Sequence, residues 1–211
     1  MPSKDRQLVQ KGRTFTEMAR RTQIVRCAIE TIADIGYGKA SFEEIARRAG
    51  ISRSLISYHF AGRDELVAEV LTSVYTRAAE YMTAIIAEAD TPPAKLEAFI
   101  RGNLAFIGEN RQDMAAVLGI VLHARTQSLT AKPESSAAQP RIRGLASILE
   151  GGQQSGDFRP FSSSAMALAI LQAIDGAHQL TSSAEDTDLD VYADELVTIF
   201  SKATRREDVT F

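Results

Sequence analysis

Cysteine is almost absent from this 211-residue chain: there is one, Cys27. A single thiol excludes an internal disulfide and every zinc module built on several cysteines. Tryptophan is missing and only 7% of residues are aromatic. No apolar run approaches the roughly 20 residues that cross a bilayer, and the first 20 residues are polar, with no readable secretory signal. Strand alternation is lacking, and so are HExxH, a glycine-rich phosphate loop after a strand and paired-cysteine ligand patterns. The three histidines, His59, His123 and His178, lie far apart. Cys27 sits among apolar helix neighbours and reads as a core thiol rather than a nucleophile. The expectation is therefore a non-enzyme without metal or cofactor, in a reducing cytoplasm. Large net charge is lacking too: the sum is -3.

The distribution of that charge is uneven. Residues 1–63 hold 12 Lys/Arg against 6 Asp/Glu, whereas residues 64–211 hold 12 against 21. A basic end on an acidic body suggests a polyanion partner, although a solvated basic surface has the same composition.

Apolar residues recur at spacings of three and four along the whole chain, predicting an all-α protein of about nine helices. Residues 1–15 read as a mobile basic tail, whose Lys11 and Arg13 either enter a minor groove or, the favoured reading, have no function. A first helix is expected from Thr16 to Ile35, with Ile24, Ala28, Thr31, Ile32 and Ile35 inward, stopped by Gly36. Ser41 caps a second short helix, with Glu44 placed as in a capping box. After Gly50, Ser52 caps a third helix ending near Phe60. A fourth, of roughly 25 residues, would be nearly 40 Å long. Thr91-Pro92 opens a fifth. Later helices are expected near 111–128, 137–155, 162–181 and 188–204, with 129–140 as a loop. The organisation predicted is a tail (1–15), a three-helix head (16–62) and a larger helical bundle (63–211).

Two short amphipathic helices joined by Ala49-Gly50-Ile51-Ser52 form a helix-turn-helix pattern. In the third helix Ile56 and Phe60 share an inner face. Arg53, Ser54, Ser57 and Tyr58 form an outer stripe whose donors and hydroxyls suit base edges and phosphates, and Leu55 borders it. Arg47 and Arg48 are either phosphate contacts or a solvated helix face. Two such helices can also serve only to pack a bundle; the charge asymmetry favours DNA.

The segment Arg21 to Leu66 resembles the N-terminal domain of the tetracycline-repressor (TetR) family of bacterial transcriptional regulators. The resemblance rests on Arg21, Ile24, Ala28, Gly36-Tyr37, Ala40-Ser41-Phe42, Ile45-Ala46, Ala49-Gly50-Ile51-Ser52, Ile56, His59-Phe60 and Arg63-Asp64-Glu65-Leu66. One departure stands out: the family carries Tyr directly after the buried aliphatic of the third helix, where this chain has Ser57, with Tyr58 one step later.

The resemblance implies a DNA interface of Ser41, Ser52, Arg53, Ser54, Ser57, Tyr58, His59 and Arg63. In it Ser41 and Arg63 touch phosphate, Arg53, Ser54 and Ser57 read bases, and Tyr58 and His59 position the backbone. It implies a homodimer through the last two helices, assigned here to Met166, Ile170, Ile174, His178, Leu189, Tyr192, Leu196 and Phe200. It also implies a pocket for an unknown small-molecule effector, assigned to Phe99, Asn103, Phe106, Met114, Leu118, His123 and Asp175, with Arg125 as a further polar candidate. The function implied is a cytoplasmic, nucleoid-associated repressor, released from a palindromic double-stranded operator when the ligand tilts the fourth helix. A DNA-binding protein of the same fold with a ligand-independent or chromosome-organising role is the alternative.

Overall fold

The computed structural model describes the backbone of residues 4–127, 138–182 and 188–206, and the side chains of residues 15–124, 139–177 and 188–206. Among these residues the order is α1 (Lys4–Ile35), a 3-10 turn (Tyr37–Lys39), α2 (Phe42–Ala49), α3 (Arg53–His59), α4 (Arg63–Ala87), α5 (Pro92–Glu109), α6 (Arg111–Gln127), α7 (Ala138–Ser155), α8 (Ser163–Ser182) and α9 (Leu189–Thr204). The only β feature among the described residues is an isolated antiparallel bridge, Phe158 to Arg205. No described helix is long and apolar enough to cross a membrane.

The first helix starts at Lys4, not Thr16, so the stretch expected as a tail has helical backbone. The side chains of Lys11, Arg13, Arg125 and His178 and nearly all of the expected 129–140 loop lie outside the described residues. Thr91 caps α5 as its sequence demands, accepting the Ala94 N–H at 3.3 Å, with Pro92 at the first helical position.

The chain divides into two compact units: Met1–Val74 with Ala115–Leu129, and Tyr75–Met114 with Thr130–Phe211. Helices α4 and α6 each contribute residues to both. In the first unit Ile24, Ala28, Ile29 and Ile32 of α1 are buried, as are Ile45, Ile56 and Phe60. Ile35, expected inward, is exposed because it is the last residue of its helix. Gly119 of α6 packs on α1, where a Cβ would stand 3.7 Å from Ile32 Cγ2. Burial pushes the Cys27 thiol above its ordinary pKa, which keeps it protonated and inert.

The core of the second unit joins Leu96, Ile100 and Leu104 of α5 to Leu145 and Leu149 of α7, Ile170 and Ile174 of α8, and Leu196 and Phe200 of α9. Four of the residues expected at a dimer surface are core instead. Ile170, Ile174, Leu196 and Phe200 are buried inside their own unit. Met166, Leu189 and Tyr192 pack against the same core, and Tyr192 donates its hydroxyl to the Ala173 carbonyl at 2.7 Å. Each of these helices carries two apolar stripes, and the more continuous one faces the core, since that burial is what holds the unit together. The apolar residues left outside are Leu168 on α8 and Val191 and Ile199 on α9.

Between α7 and α8 the chain folds Phe158 back onto Gly152, and the Phe158 N–H bonds the Gly152 carbonyl at 2.9 Å. A Cβ at Gly152 would overlap the edge of the Phe158 ring. Gly152→Ala is therefore expected to destabilise the second unit by about 1–3 kcal/mol, the cost of overpacking a filled core. A thermal melt showing an unchanged midpoint would contradict this.

Candidate nucleic-acid interface

The interface is built from α2, α3 and the turn between them. Ser41 Oγ accepts the Glu44 N–H at 3.2 Å and caps α2. Only this half of the expected capping box forms. The Ser41 N–H bonds the Lys39 carbonyl at 2.8 Å, and the Glu44 carboxylate instead pairs with Arg47 at 2.5 Å.

Gly50 then takes φ 65°, ψ 34°, the left-handed region that a side chain disfavours. There the Ile51 N–H reaches the Ala46 carbonyl at 3.1 Å and the Gly50 N–H the Arg47 carbonyl at 3.4 Å. These two bonds close the helix as a Schellman motif and fix the angle at which α3 leaves. Ser52 Oγ caps α3 by accepting the Leu55 N–H at 3.3 Å, and lies 2.9 Å from Ser54 Oγ.

Helix α3 sorts by face. Ile56 and the capping Phe60 are buried, and Leu55 is half-buried at the margin. Arg53, Ser54, Ser57 and Tyr58 are exposed on the other side, Tyr58 at 72%. The Tyr58 ring meets His59 edge-on at 5.1 Å, which steadies the phenol without engaging its hydroxyl. Arg53 has no ion-pair partner among the described residues, so its guanidinium stays available to an external acceptor.

Several other cations are committed inside the protein. Arg21 lies 4.2 Å above the Phe60 ring, donates to the His59 carbonyl and pairs with Glu65 at 3.3 Å and Glu69 at 3.4 Å, fastening α1 to α3 and α4. Glu65 also accepts the Ala61 N–H at 2.7 Å, which holds its carboxyl below the usual range. Arg48 bonds Asp34 at 2.5 Å and lies 3.8 Å from Glu30, so it ties α2 to α1. Arg47 stays highly exposed, paired only within its own helix.

Arg63, expected at phosphate, also has partners inside the protein. Its guanidinium lies 4.1 Å from the centroid of Tyr37 and donates to the Tyr37 carbonyl. The other neighbour of that ring is His123 of α6, 4.6 Å between centroids. A guanidinium carries five N–H donors, so this one bond does not preclude a phosphate contact. The unit thus holds a stack of Arg63, Tyr37 and His123. Sequence reading missed this stack, and it missed Lys39, exposed two residues before the α2 cap. The one signal for Lys39 was a basic residue so close to a helix N-terminus.

The expected pocket residues divide between the two units. Leu118 and His123 belong to the first unit, and Phe99, Asn103, Phe106, Met114 and Asp175 to the second. Asn103 donates to the Phe99 carbonyl one turn back at 2.8 Å. Asp175 accepts both terminal nitrogens of Arg141 at 3.1 and 3.2 Å. Phe99 and Phe106 are buried, and Met114 is partly so.

Residues 24–70 match the family model for bacterial regulatory proteins of the tetR family. Over 89 residues the chain is 33% identical to the HTH-type transcriptional regulator BetI 2 of Chromohalobacter salexigens, a stretch covering 41% of this chain and 43% of that protein. The chain spans about half the length of the curated relatives it matches. Among solved structures it is similar to a putative transcriptional regulator from Saccharomonospora viridis in complex with choline. That match has a TM-score of 0.77 and 20% identity over 90% of this chain and 100% of that one. It is also similar to AibR in complex with isovaleryl coenzyme A and operator DNA, with a TM-score of 0.68 and 19% identity over 83% and 97% of the two chains. At these identities the structures establish a common fold.

Proposed function

From the match of residues 24–70 to the model of the tetR family of bacterial regulatory proteins, we propose that the chain belongs to that family and is a sequence-specific transcriptional repressor released from a palindromic operator by a small-molecule ligand. The observation that carries this reading is the outer face of α3. A helix capped at both ends, clamped through Arg21 and Phe60, presents Arg53, Ser54, Ser57 and Tyr58 to solvent with the Arg53 charge unpaired. Such a rigid stripe of donors suits a major groove. Ser41, Ser52 and Lys39 supply phosphate contacts around it, and His59 steadies Tyr58. In this reading the protein works in the cytoplasm on nucleoid DNA and performs no catalysis.

One helix-turn-helix buries too little surface for specific binding, so two copies act together on a two-fold site. The surface proposed for pairing holds Leu168, Val191 and Ile199, the apolar residues of α8 and α9 that their own unit leaves exposed. The solved neighbours that hold choline and isovaleryl coenzyme A support a small-molecule effector here. Helix α4 carries Arg63 in the first unit and Arg77 and Tyr81 in the second. A ligand that favours one setting of α4 over another thereby biases the head.

The test is a salt-titrated mobility shift on an operator found by footprinting. Tyr58→Phe is expected to weaken binding to all sequences alike. Arg53→Ala is expected to cost about 1–3 kcal/mol and to relax preference at the bases it reads. Equal losses on specific and random DNA for both variants would sink the assignment. A footprint without two-fold symmetry, unmoved by any metabolite, would favour the chromosome-organising alternative.

A further inference from the structure

We propose that His123 is a positioning residue for DNA binding: through the Tyr37 ring it holds the Arg63 guanidinium where it meets a phosphate. The proposal deepens the preceding reading by naming a residue that serves the DNA interface without touching DNA, and it rests on that reading for the phosphate.

Arg63 is the first residue of α4, half-buried, and it is held without being neutralised. Its guanidinium lies 4.1 Å from the Tyr37 ring centroid and donates from Nη2 to the Tyr37 carbonyl. Arg21, Arg26, Arg47 and Arg48 of the same unit each pair with a carboxylate. Arg63 has no ion pair among the described residues. An aromatic face and a carbonyl fix the orientation of a cation and leave its net charge in place. The donors that the carbonyl does not use remain for an external anion. A guanidinium that is oriented yet uncompensated suits a phosphate.

His123 of α6 meets the same ring, with centroids 4.6 Å apart and planes tilted by 50°. Gly119, one turn earlier, shares that face of α6. A Cβ there would stand 3.7 Å from Ile32 Cγ2 and 4.0 Å from Tyr37 Cβ, so α6 lies close against the end of α1 and the turn that carries Tyr37. The Tyr37 carbonyl also accepts the Ala40 N–H at 3.3 Å, just ahead of the Ser41 cap. The ring is thus the shared contact between α6 and the start of α4. A half-buried ring that loses a neighbour gains rotamers, and a long side chain stacked on it gains them too. The cost of ordering Arg63 at phosphate then falls on DNA binding. Packing alone predicts something different: an altered melt with the number of phosphate contacts unchanged. Salt dependence separates the two roles, because it counts neutralised phosphates.

The experiment uses the full chain, a footprinted operator duplex and a random-sequence duplex, with affinity measured from about 50 to 200 mM salt. Arg63→Ala is expected to make the slope of log affinity against log salt shallower by about one per head. His123→Ala is expected to reproduce at least about half of that change, to lose about tenfold in affinity on both duplexes, and to add nothing in the Arg63→Ala background. His123→Phe keeps a ring against Tyr37 and is expected to restore slope and affinity. Tyr37→Leu keeps the carbonyl, removes the ring and is expected to match His123→Ala, so a folding defect in one variant does not end the test. An unchanged slope in His123→Ala and Tyr37→Leu, an equal loss in the Arg63→Ala background, or no rescue in His123→Phe overturns the proposal. If the slopes change as expected on random DNA and no sequence is preferred, the positioning role stands and the repressor reading falls. If wild type binds an operator and both ring variants keep its slope, the reading stands and the positioning role falls. A wild type that binds neither duplex ends both.

Discussion

Replacing Val191 and Ile199 together by glutamate is expected to turn the proposed dimer into monomers and to lower affinity for its proposed operator about a thousandfold, toward the level of non-specific binding. The two residues are 58% and 51% exposed, eight positions apart on α9, and so lie on one face. The opposite face already fills the core with Ala193, Leu196 and Phe200. Glutamates at 191 and 199 would therefore remain in water in the single chain, and the melting temperature of the monomer should hardly move. In a two-fold pair they would be buried against their own copies, where like charges cost several kcal/mol. Sedimentation velocity and a mobility shift on the intact palindrome check both halves. A variant that still sediments as a dimer places the pairing surface elsewhere. One that is monomeric but binds undiminished removes the need for two copies.

The head was legible in the sequence because its determinants are local. A serine before a helix, a glycine that must be left-handed, and apolar residues at i and i+4 specify Ser41, Gly50, Ser52, Ile56 and Phe60 without long-range knowledge. The start of α1 was read late because a basic, polar stretch lacks the apolar period that marks a helix, although Lys4–Ile35 is continuous. Ile170, Ile174, Leu196 and Phe200 were read as pairing residues, not core, for a different reason. Helices α8 and α9 are apolar on two sides, and periodicity cannot say which stripe meets the core. Ion pairs were the least legible: Arg48 with Asp34 and Arg63 with Tyr37 join residues far apart in the chain.

Phe60→Ala is expected to destabilise the first unit by about 3–5 kcal/mol, the range for deleting a buried aromatic side chain. Against a total stability of about 5–15 kcal/mol for an ordinary domain, that loss is large. Phe60 is 1% exposed and ends α3, its N–H bonding the Ile56 carbonyl at 2.9 Å. Its ring carries the Arg21 guanidinium, which also holds the His59 carbonyl and the Glu65 and Glu69 carboxylates. Removing the ring opens a cavity under α3 and takes away the face on which the Arg21 guanidinium rests, loosening the clamp between α1 and α4. Operator binding should then fail at temperatures where the second unit, whose core of α5, α7, α8 and α9 contains none of these residues, still melts normally. Circular dichroism would show an early partial loss of helix, and a mobility shift over the same range would show binding lost with it. Tyr58→Phe, two residues away but exposed, should leave the melt unchanged while weakening DNA binding. If Phe60→Ala melted with wild type, the rigidity of α3 would have to come from its two serine caps and the Gly50 turn alone, and the clamp through Arg21 would have no part in presenting Arg53 to the groove.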